Sequence, residues 1–363
     1  MYKILKIIVS ALFIMPILIS CKGDGKFISI GEPRFISEFP NTGELQKIDD
    51  FNCNEIGLRS IKVIDTLLFI DRASSWTIYS LDGKRKYGEC MRIGRGSGEF
   101  SYYVPWVSSC HFFHENDSLF VYAPEKYRGY IYELNISELL ENGNSIPRIA
   151  IETDRIQSTS WAITPCGKGR ILITQADDYL TGLQRLMYEN DTVNQLSVTQ
   201  DIDKVTVNPG GDVNLISKVI RYNAAADKFV EAMIYLNQIN IISGDGTEGK
   251  TICVGKRLDD VSKIEKEPRI SRKDTYISVS AWDEGFGAIY SGASDINIQK
   301  LLSNKSQIQF FDWEGNPKYL VEVPYQALEL DIDFANNVLY VICENNDTMI
   351  AYDATDIIRC LRS

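Results

Sequence analysis

An eight-residue stretch, Gly244–Thr251, matches the phosphate-binding pattern GxxxxGK followed by Ser or Thr. In that pattern, backbone amides at the start of a helix and the lysine hold the phosphates of a nucleotide. The apolar run Ile239–Ser243 precedes the match as required, but Ile252–Gly255 after it is typical of another strand. Gly246 also falls where a tight turn between strands needs glycine. The sequence therefore predicts a β-hairpin and no nucleotide ligand, which a helix beginning at Lys250 would overturn.

The two histidines of the chain, His111 and His114, are the next candidates for chemistry. Residues three apart in a strand point to opposite faces of the sheet, so these imidazoles cannot share a metal ion there. A short helical turn would bring them together, but the sequence offers no evident third ligand. We expect no metal site and no cofactor.

A glycine-rich stretch, Gly94–Gly98, has the composition of a backbone cradle for an anion. A loop between two sheets explains the same glycines more simply. The stretch does not fit the nucleophile pattern GxSxG, because Arg95 stands where glycine is required. With two histidines, only Asp/Glu chemistry would be available to an enzyme here, and no catalytic residue can be named from the sequence.

Aromatic residues make up 11% of the chain, and several lie near expected loops or strand ends. Exposed rings at such places stack on sugars or grip a peptide, whereas buried ones pack between sheets. Both interpretations stay open for Trp76, Tyr102, Tyr103, Trp106, Tyr127, Tyr130, Trp161 and Trp282.

The first twenty residues are typical of a secretory signal peptide. Lys3 and Lys6 form a basic region, and an apolar run follows from Ile7 to Ile19. The run is too short for a confident membrane-spanning helix. It ends at Ser20-Cys21, which resembles a bacterial lipobox, in which the cysteine sulfur takes a diacylglycerol. We therefore expect Cys21 to be the acylated first residue of the mature protein; otherwise it is incidental to an ordinary signal or an uncleaved anchor.

Several acyl chains anchor a protein stably where one does not, because each buried methylene contributes about 0.8 kcal/mol. The expected order is a signal peptide at 1–20, a lipidated tether at 21–26 and one domain at 27–363. The expected location is the outer membrane, on its periplasmic side or at the cell surface. A formal net charge of −11 provides no electrostatic footprint for nucleic acid.

Eight cysteines are present, and lipid would occupy Cys21. The seven that remain are odd in number and include no CxxC pair, so a disulfide framework is not indicated. Most are expected to be buried as small apolar side chains.

Strand signals recur along the chain at intervals of 51 to 58 residues. The recurring apolar runs begin at Leu67, Leu119, Arg170, Lys228, Phe286 and Val338. This period predicts an all-β fold, a six-bladed β-propeller with four-stranded antiparallel blades. The alternating segment Phe27–Phe39 is expected to add a strand to the last blade, and Asp295–Lys305 to form a surface helix.

The chain resembles the TolB-like six-bladed propeller lipoproteins of gut-dwelling Gram-negative anaerobes. The resemblance rests on the lipobox, on Gly94–Phe100, on Ile308–Gly315 and on the strand pair within Asp331–Tyr352. It covers nearly the whole chain and implies a propeller, but it brings no catalytic residues.

Two functions follow from these expectations. The first is a binding or scaffold module of the cell envelope that holds a glycan, a peptide or an envelope protein at the mouth of its channel. The alternative is a propeller hydrolase or lyase that acts on an extracellular polymer through Asp or Glu. An aromatic mouth would favour binding, and two facing carboxylates would favour catalysis.

Overall fold

The computed structural model describes residues 25–363, except for 52, 54, 97–98, 144, 153–159, 295–304 and 345–347. The strands form six small antiparallel sheets arranged as a six-bladed propeller. The prediction of an all-β propeller is therefore confirmed. The predicted signal peptide, Cys21 and nearly all of the insertion at Asp295–Lys305 lie outside the described residues.

Two short strands precede the blades, β1 (Arg34–Ile36) and β2 (Thr42–Gly43). Blade one contains β3 (Ser60–Ile64), β4 (Leu67–Asp71), β5 (Trp76–Ser80) and β6 (Lys86–Cys90). Blade two contains β7 (His111–Glu115), β8 (Ser118–Glu125), β9 (Tyr130–Asn135) and β10 (Arg148–Glu152). Blade three contains β11 (Ser160–Gly167), β12 (Arg170–Ala176), β13 (Leu183–Glu189) and β14 (Thr192–Gln195).

The remaining blades follow the same order. Blade four contains β15 (Lys218–Asn223), β16 (Lys228–Met233), β17 (Gln238–Ser243) and β18 (Gly249–Val254). Blade five contains β19 (Lys273–Trp282), β20 (Gly285–Ser294), β21 (Ser306–Phe311) and β22 (Pro317–Val323). Blade six contains β23 (Ala327–Asp333), β24 (Val338–Cys343) and β25 (Thr348–Asp353).

The α-helices of the described residues are short; two lie in connections, and the third follows the last strand. They are α1 (Ile136–Asn142), α2 (Val261–Ile264) and α3 (Thr355–Leu361). Single turns of 3₁₀ helix occur at Val107–Ser109, Ser197–Thr199, Ile202–Lys204, Val213–Ile216 and Arg269–Ser271. Within the described part of the chain, no helix has the length and apolar character needed to cross a membrane.

The recurring runs of the sequence are the second strands of the six blades, β4, β8, β12, β16, β20 and β24. These strands are buried on both sides, since each blade packs against its neighbours, and this explains their continuous apolar character. The first strands lie innermost, and β23 of the last blade contacts β3 of the first, which completes the ring.

The N-terminal segment closes the ring differently from the prediction. Phe27–Phe39 adds no strand to the last blade, because β1 within it pairs in parallel with β18 of blade four. β2 then pairs in parallel with β22 of blade five. The last blade is completed only by residues near Lys47, which forms an antiparallel bridge with Tyr352. The segment thus covers three open sheet edges in turn, whose unpaired backbone groups need partners.

Alternating strand direction places the connections on two opposite faces of the propeller. The tight turns between first and second strands and between third and fourth strands lie on one face, here called the turn face. The connections between second and third strands and from blade to blade lie on the other, here called the loop face. The two faces expose different side chains, and each has a cavity.

Apolar clusters fill the spaces between blades. Trp76 of blade one stacks on Phe112 of blade two with ring centroids 6.3 Å apart. Phe286 and Phe311 of blade five stack at 5.1 Å within the apolar cluster that this blade shares with blade four. The seven cysteines of the described residues are free thiols, four of them buried, as the sequence predicted. Burial raises the pKa of the Cys90 thiol to about 12.

Candidate functional site

A cavity of about 630 Å³, here called the wide mouth, opens on the turn face. The C-terminal ends of the first strands of five blades line it, together with the turns that follow four of them. Asp65, His114, Asn223, Asp283 and Phe334 are among the lining residues. Residues far apart in the sequence meet here because every first strand ends at the same face.

Polar side chains at the wide mouth are joined in pairs. His114 Nε2 lies 3.0 Å from Asp65 Oδ2, and both side chains are more than half exposed. Asn223 donates a hydrogen bond from Nδ2 to Asp283 Oδ1 at 2.9 Å. These carboxylate, amide and imidazole groups present both donors and acceptors to a ligand.

Aromatic rings form the apolar part of the wide mouth. The lining rings are Phe113, Tyr222, Trp282 and Phe334. Trp282 is buried, and the other three are partly exposed. Trp282 is held in place because its Nε1 donates to Asp331 Oδ1 at 2.6 Å. Tyr222 donates from its hydroxyl to Asp227 at 2.8 Å. The rings are therefore positioned before any ligand arrives.

His111 lines the same cavity but is less exposed than His114. Its ring stacks on Phe113 with centroids 5.8 Å apart and also contacts Tyr122 and Tyr222. Burial lowers the pKa of His111 to about 4, so it is neutral at physiological pH. Both histidines lie in the strand β7, in which residues three apart point to opposite sides of the sheet, although both border the wide mouth.

A smaller cavity of about 290 Å³, here called the narrow mouth, opens on the loop face. Tyr103, Trp106, Lys126, Trp161 and Arg221 are among its lining residues. Among the described residues, its lining contains the cationic side chains of Lys126, Lys218 and Arg221 and no carboxylate. Burial lowers the pKa of Lys126, which is partly enclosed.

The two mouths approach each other at β15, where Arg221 lines the narrow mouth and Tyr222 the wide one. Arg221 donates from Nη2 to Ser108 Oγ at 2.7 Å and forms an ion pair with Glu329 at 3.3 Å. Ser278 also donates to Glu329. Burial raises the pKa of Glu329, and the arginine opposes this effect. The inner part of the ring is thus occupied by a compact polar cluster.

A second buried polar cluster joins blades three and four. Arg185 forms ion pairs with Asp203 and, at 2.7 Å, with Glu231, and its side chain is 2% exposed. Lys218 Nζ lies 3.8 Å from Glu231 Oε1. Burial and the neighbouring Arg185 lower the pKa of Lys218 to about 7. These charges tie the two blades together rather than face solvent.

The phosphate-loop match at Gly244–Thr251 folds as the predicted hairpin. β17 ends at Ser243, and β18 begins at Gly249, so Lys250 lies in a strand. Gly246 has a φ of 69°, the left-handed conformation that the turn needs. Lys250 forms an ion pair with Glu314 of the next blade. The backbone therefore lacks the strand-to-helix geometry on which a phosphate loop depends.

The described part of the glycine-rich stretch, Gly94–Gly96, lies in the connection from blade one to blade two, as the sequence predicted. Ile93 forms a parallel bridge with Phe100 across this loop. The backbone N–H of Gly96 donates to Glu99 Oε2 at 2.7 Å. This amide thus already has an anionic partner within the protein.

The aromatic residues singled out in the sequence divide between packing and exposure. Trp76 is fully buried and Trp282 is 6% exposed. On the loop face, Tyr102, Trp106 and Tyr127 are exposed, by 70%, 41% and 50%. Tyr102 and Tyr127 contact each other with ring centroids 4.6 Å apart. Tyr103, Tyr130 and Trp161 are partly buried.

The sequence did not reveal the wide mouth as a site. Its polar residues occur singly, at the end of one strand per blade, and form no motif. Once six repeats had been recognised, the residues just after the first strand of each repeat could have been predicted to meet at one face. Among the described residues, no group of three or more His, Cys, Asp and Glu side chains is arranged to hold a metal ion.

Comparison with solved structures agrees with the fold. A member of the DUF4221 family from Bacteroides vulgatus has a TM-score of 0.54, with 9% identity over 85% of this chain and 97% of that one. An exported protein from Bacteroides fragilis has a TM-score of 0.47, with 11% identity over 85% of this chain and 92% of that one. The extracellular domain of a hybrid two-component system from B. thetaiotaomicron has a TM-score of 0.48, with 9% identity over 88% of this chain and 43% of that one. No family model and no curated protein matches the chain. At such low identity the first likeness shows the fold alone.

Proposed function

We propose that this protein is an exported, lipid-anchored binding module of the cell envelope, with its ligand site at the wide mouth. The observation that carries the proposal is the cavity itself. It is large enough for a short oligomer, and its lining combines aromatic faces with paired polar groups. Such a combination fixes a ligand by stacking and by directed hydrogen bonds.

A glycan is the ligand class that the lining favours. Sugar hydroxyls both donate and accept hydrogen bonds, and Asp65, His114, Asn223 and Asp283 offer both kinds of partner. Tyr222 and Phe334 provide apolar surface for the faces of sugar rings. A peptide or an envelope protein is the other class of ligand that the sequence left open.

The alternative, a hydrolase or lyase that uses Asp or Glu, has weaker support. A pair of catalytic carboxyl groups must face each other across the bond that is cleaved. At the wide mouth, Asp65 instead lies against His114, and Asp283 accepts a hydrogen bond from Asn223. These contacts are better suited to orienting a ligand than to cleaving it.

The anchor and the location belong to the same proposal. Acylation of Cys21 would hold the propeller at the outer membrane, on its periplasmic side or at the cell surface, as in the TolB-like lipoproteins that the sequence resembles. Support comes from the basic region, the apolar run and the lipobox.

The test is a glycan array and a peptide array probed with residues 25–363. We expect a glycan to bind, and the double variant His114→Ala/Asp283→Ala to weaken binding at least tenfold. Trp106→Phe at the narrow mouth is the matched control and should bind like the parent protein. Binding that Trp106→Phe abolishes would place the site on the loop face instead. Cleavage of a bound glycan would support the enzymatic alternative, and no binder on either array would contradict the proposal.

A further inference from the structure

The described chain begins on the loop face. Lys26 donates its backbone N–H to Asp260 Oδ1 at 3.1 Å, and its carbonyl accepts from Val261 N at 3.0 Å. Its side-chain Nζ donates to the carbonyl of Thr206 at 2.7 Å. These three partners belong to blade-to-blade connections, which lie on the loop face. Any segment that precedes Gly25 is therefore joined to the propeller at that face.

The tether is too short to reach past the propeller. Four peptide units separate Cys21 from Gly25, and they span at most about 14 Å when fully extended. β19 alone has ten residues, which corresponds to a height of about 33 Å. An acyl group on Cys21 therefore stays near the loop face and cannot bring the turn face to a membrane.

Exposed apolar side chains concentrate on the same face. Among the described residues, nine of the thirteen exposed large apolar side chains belong to it: Phe27, Ile56, Ile93, Tyr102, Trp106, Tyr127, Tyr179, Leu180 and Ile270. The remaining four lie on outer strands or in a third-to-fourth-strand connection: Phe35, Tyr87, Ile146 and Ile149. The first-to-second-strand turns around the wide mouth contribute none of the thirteen.

Tyrosine and tryptophan prefer the boundary between lipid and water, because one end of the side chain is apolar and the other is polar. Tyr102, Trp106 and Tyr127 form one patch beside the narrow mouth, and Tyr179 stands apart on blade three with 86% exposure. Lys126 lies within the aromatic patch, where its amine can reach lipid phosphate. Several such side chains, spaced apart on one face, would fix the orientation of the propeller relative to a bilayer.

We propose that the loop face rests on the lipid bilayer that holds the anchor, with its aromatic side chains in the headgroup region and the wide mouth directed away from the membrane. This inference rests on the proposed acylation of Cys21. The bilayer covers the narrow mouth, and the ligand reaches the wide mouth from the aqueous side. A flexible anchor alone would leave the orientation random, whereas loop-face contacts select one orientation.

The experiment uses the full acylated protein reconstituted in vesicles of phosphatidylethanolamine and phosphatidylglycerol. Brominated phospholipids quench tryptophans that reach the bilayer. We expect quenching of the wild-type protein, and Trp106→Phe should remove at least half of it. Trp313→Phe, which replaces a buried tryptophan at a turn-face connection, should leave the quenching unchanged. Equal quenching in the two variants would overturn the orientation.

Hydrogen exchange gives a second readout that does not depend on a single tryptophan. On vesicles, backbone amides at 99–106 and 177–182 should be protected relative to the protein in detergent, and turns at the wide mouth should not. The triple variant Tyr102→Ser/Trp106→Ser/Tyr179→Ser should lose this protection. A control with serine at Phe35, Tyr87 and Ile149 should keep it. Protection of the wide-mouth turns instead would contradict the inference.

Mass spectrometry of the N-terminal peptide separates failure of the anchor from failure of the orientation. A Cys21 without acyl chains would overturn the anchor and the orientation together. An acylated protein with unquenched Trp106 would overturn the orientation alone. Ligand binding by residues 25–363 tests the wide mouth independently of both.

Discussion

Lys47 forms an antiparallel bridge with Tyr352, and this contact joins the beginning of the chain to its last blade. Beside it, Ile48 donates its backbone N–H to the carbonyl of Ala351 at 2.9 Å, and Asp353 donates to the carbonyl of Gln46 at the same distance. Blade six contributes three strands of its own, so this short segment supplies its outer edge. Closure therefore depends on a few backbone hydrogen bonds.

Ile48→Pro should weaken this closure, because proline has no N–H to donate to Ala351. We expect a loss of about 1–3 kcal/mol in the free energy of unfolding, measured by urea denaturation. Ile48→Val keeps the N–H and most of the side chain, so it should lose less than about 1 kcal/mol. Equal losses in the two variants would show that side-chain packing, and not the backbone pairing, matters here.

Arg185→Met should be among the most damaging single substitutions. It leaves Asp203 buried without its cationic partner and Glu231 with only the more distant Lys218, which costs about 3–5 kcal/mol. The matched control is Lys204→Met, which removes an exposed pair with Asp201 and should leave the free energy of unfolding nearly unchanged. Urea denaturation of both variants measures the difference, and similar values would contradict the structural role of the cluster.

His111 should make the stability of the protein depend on pH. Its pKa is about 4 in the folded protein because of burial, and about 6.5 in the unfolded chain. The unfolded state therefore binds more protons between these values, so the free energy of unfolding falls as the pH falls. We expect a loss of about 2 kcal/mol from this residue between pH 7.5 and pH 5. His111→Phe should remove this part of the pH dependence, while His114→Asn should retain it.

Substitutions at Gly246 and Lys250 test whether Gly244–Thr251 is a structural hairpin or a nucleotide-binding loop. Gly246→Ala should cost about 1–2 kcal/mol, because its φ of 69° is unfavourable for alanine and the added Cβ would lie 2.5 Å from Leu196. Lys250→Met removes an exposed ion pair and should cost less than about 1 kcal/mol. We expect magnesium-ATP to leave the melting temperature of the wild-type protein unchanged. A rise that Lys250→Met abolishes would contradict this.

Much of the fold could be predicted because the second strand of each blade is buried on both sides. Burial requires a continuous apolar run, and six such runs at a regular period indicate six stacked sheets. The hairpin at Gly246 was predictable for a local reason, since its turn needs a left-handed residue. The strand with which the N-terminal segment pairs could not be predicted. Alternation in Phe27–Phe39 indicates a strand, but every open sheet edge offers the same backbone groups, and only the path of the chain selects blade four.

The candidate site lies beyond sequence reasoning for a similar reason. Asp65 and His114 belong to different blades, as do Asn223 and Asp283, and each pair forms only when the ring closes. Residue types alone indicate an exported all-β repeat protein with no evident catalytic motif. Tertiary structure decides which side chains share a mouth and which face carries the exposed aromatic rings, because both depend on strand direction and ring geometry, which local sequence patterns do not encode.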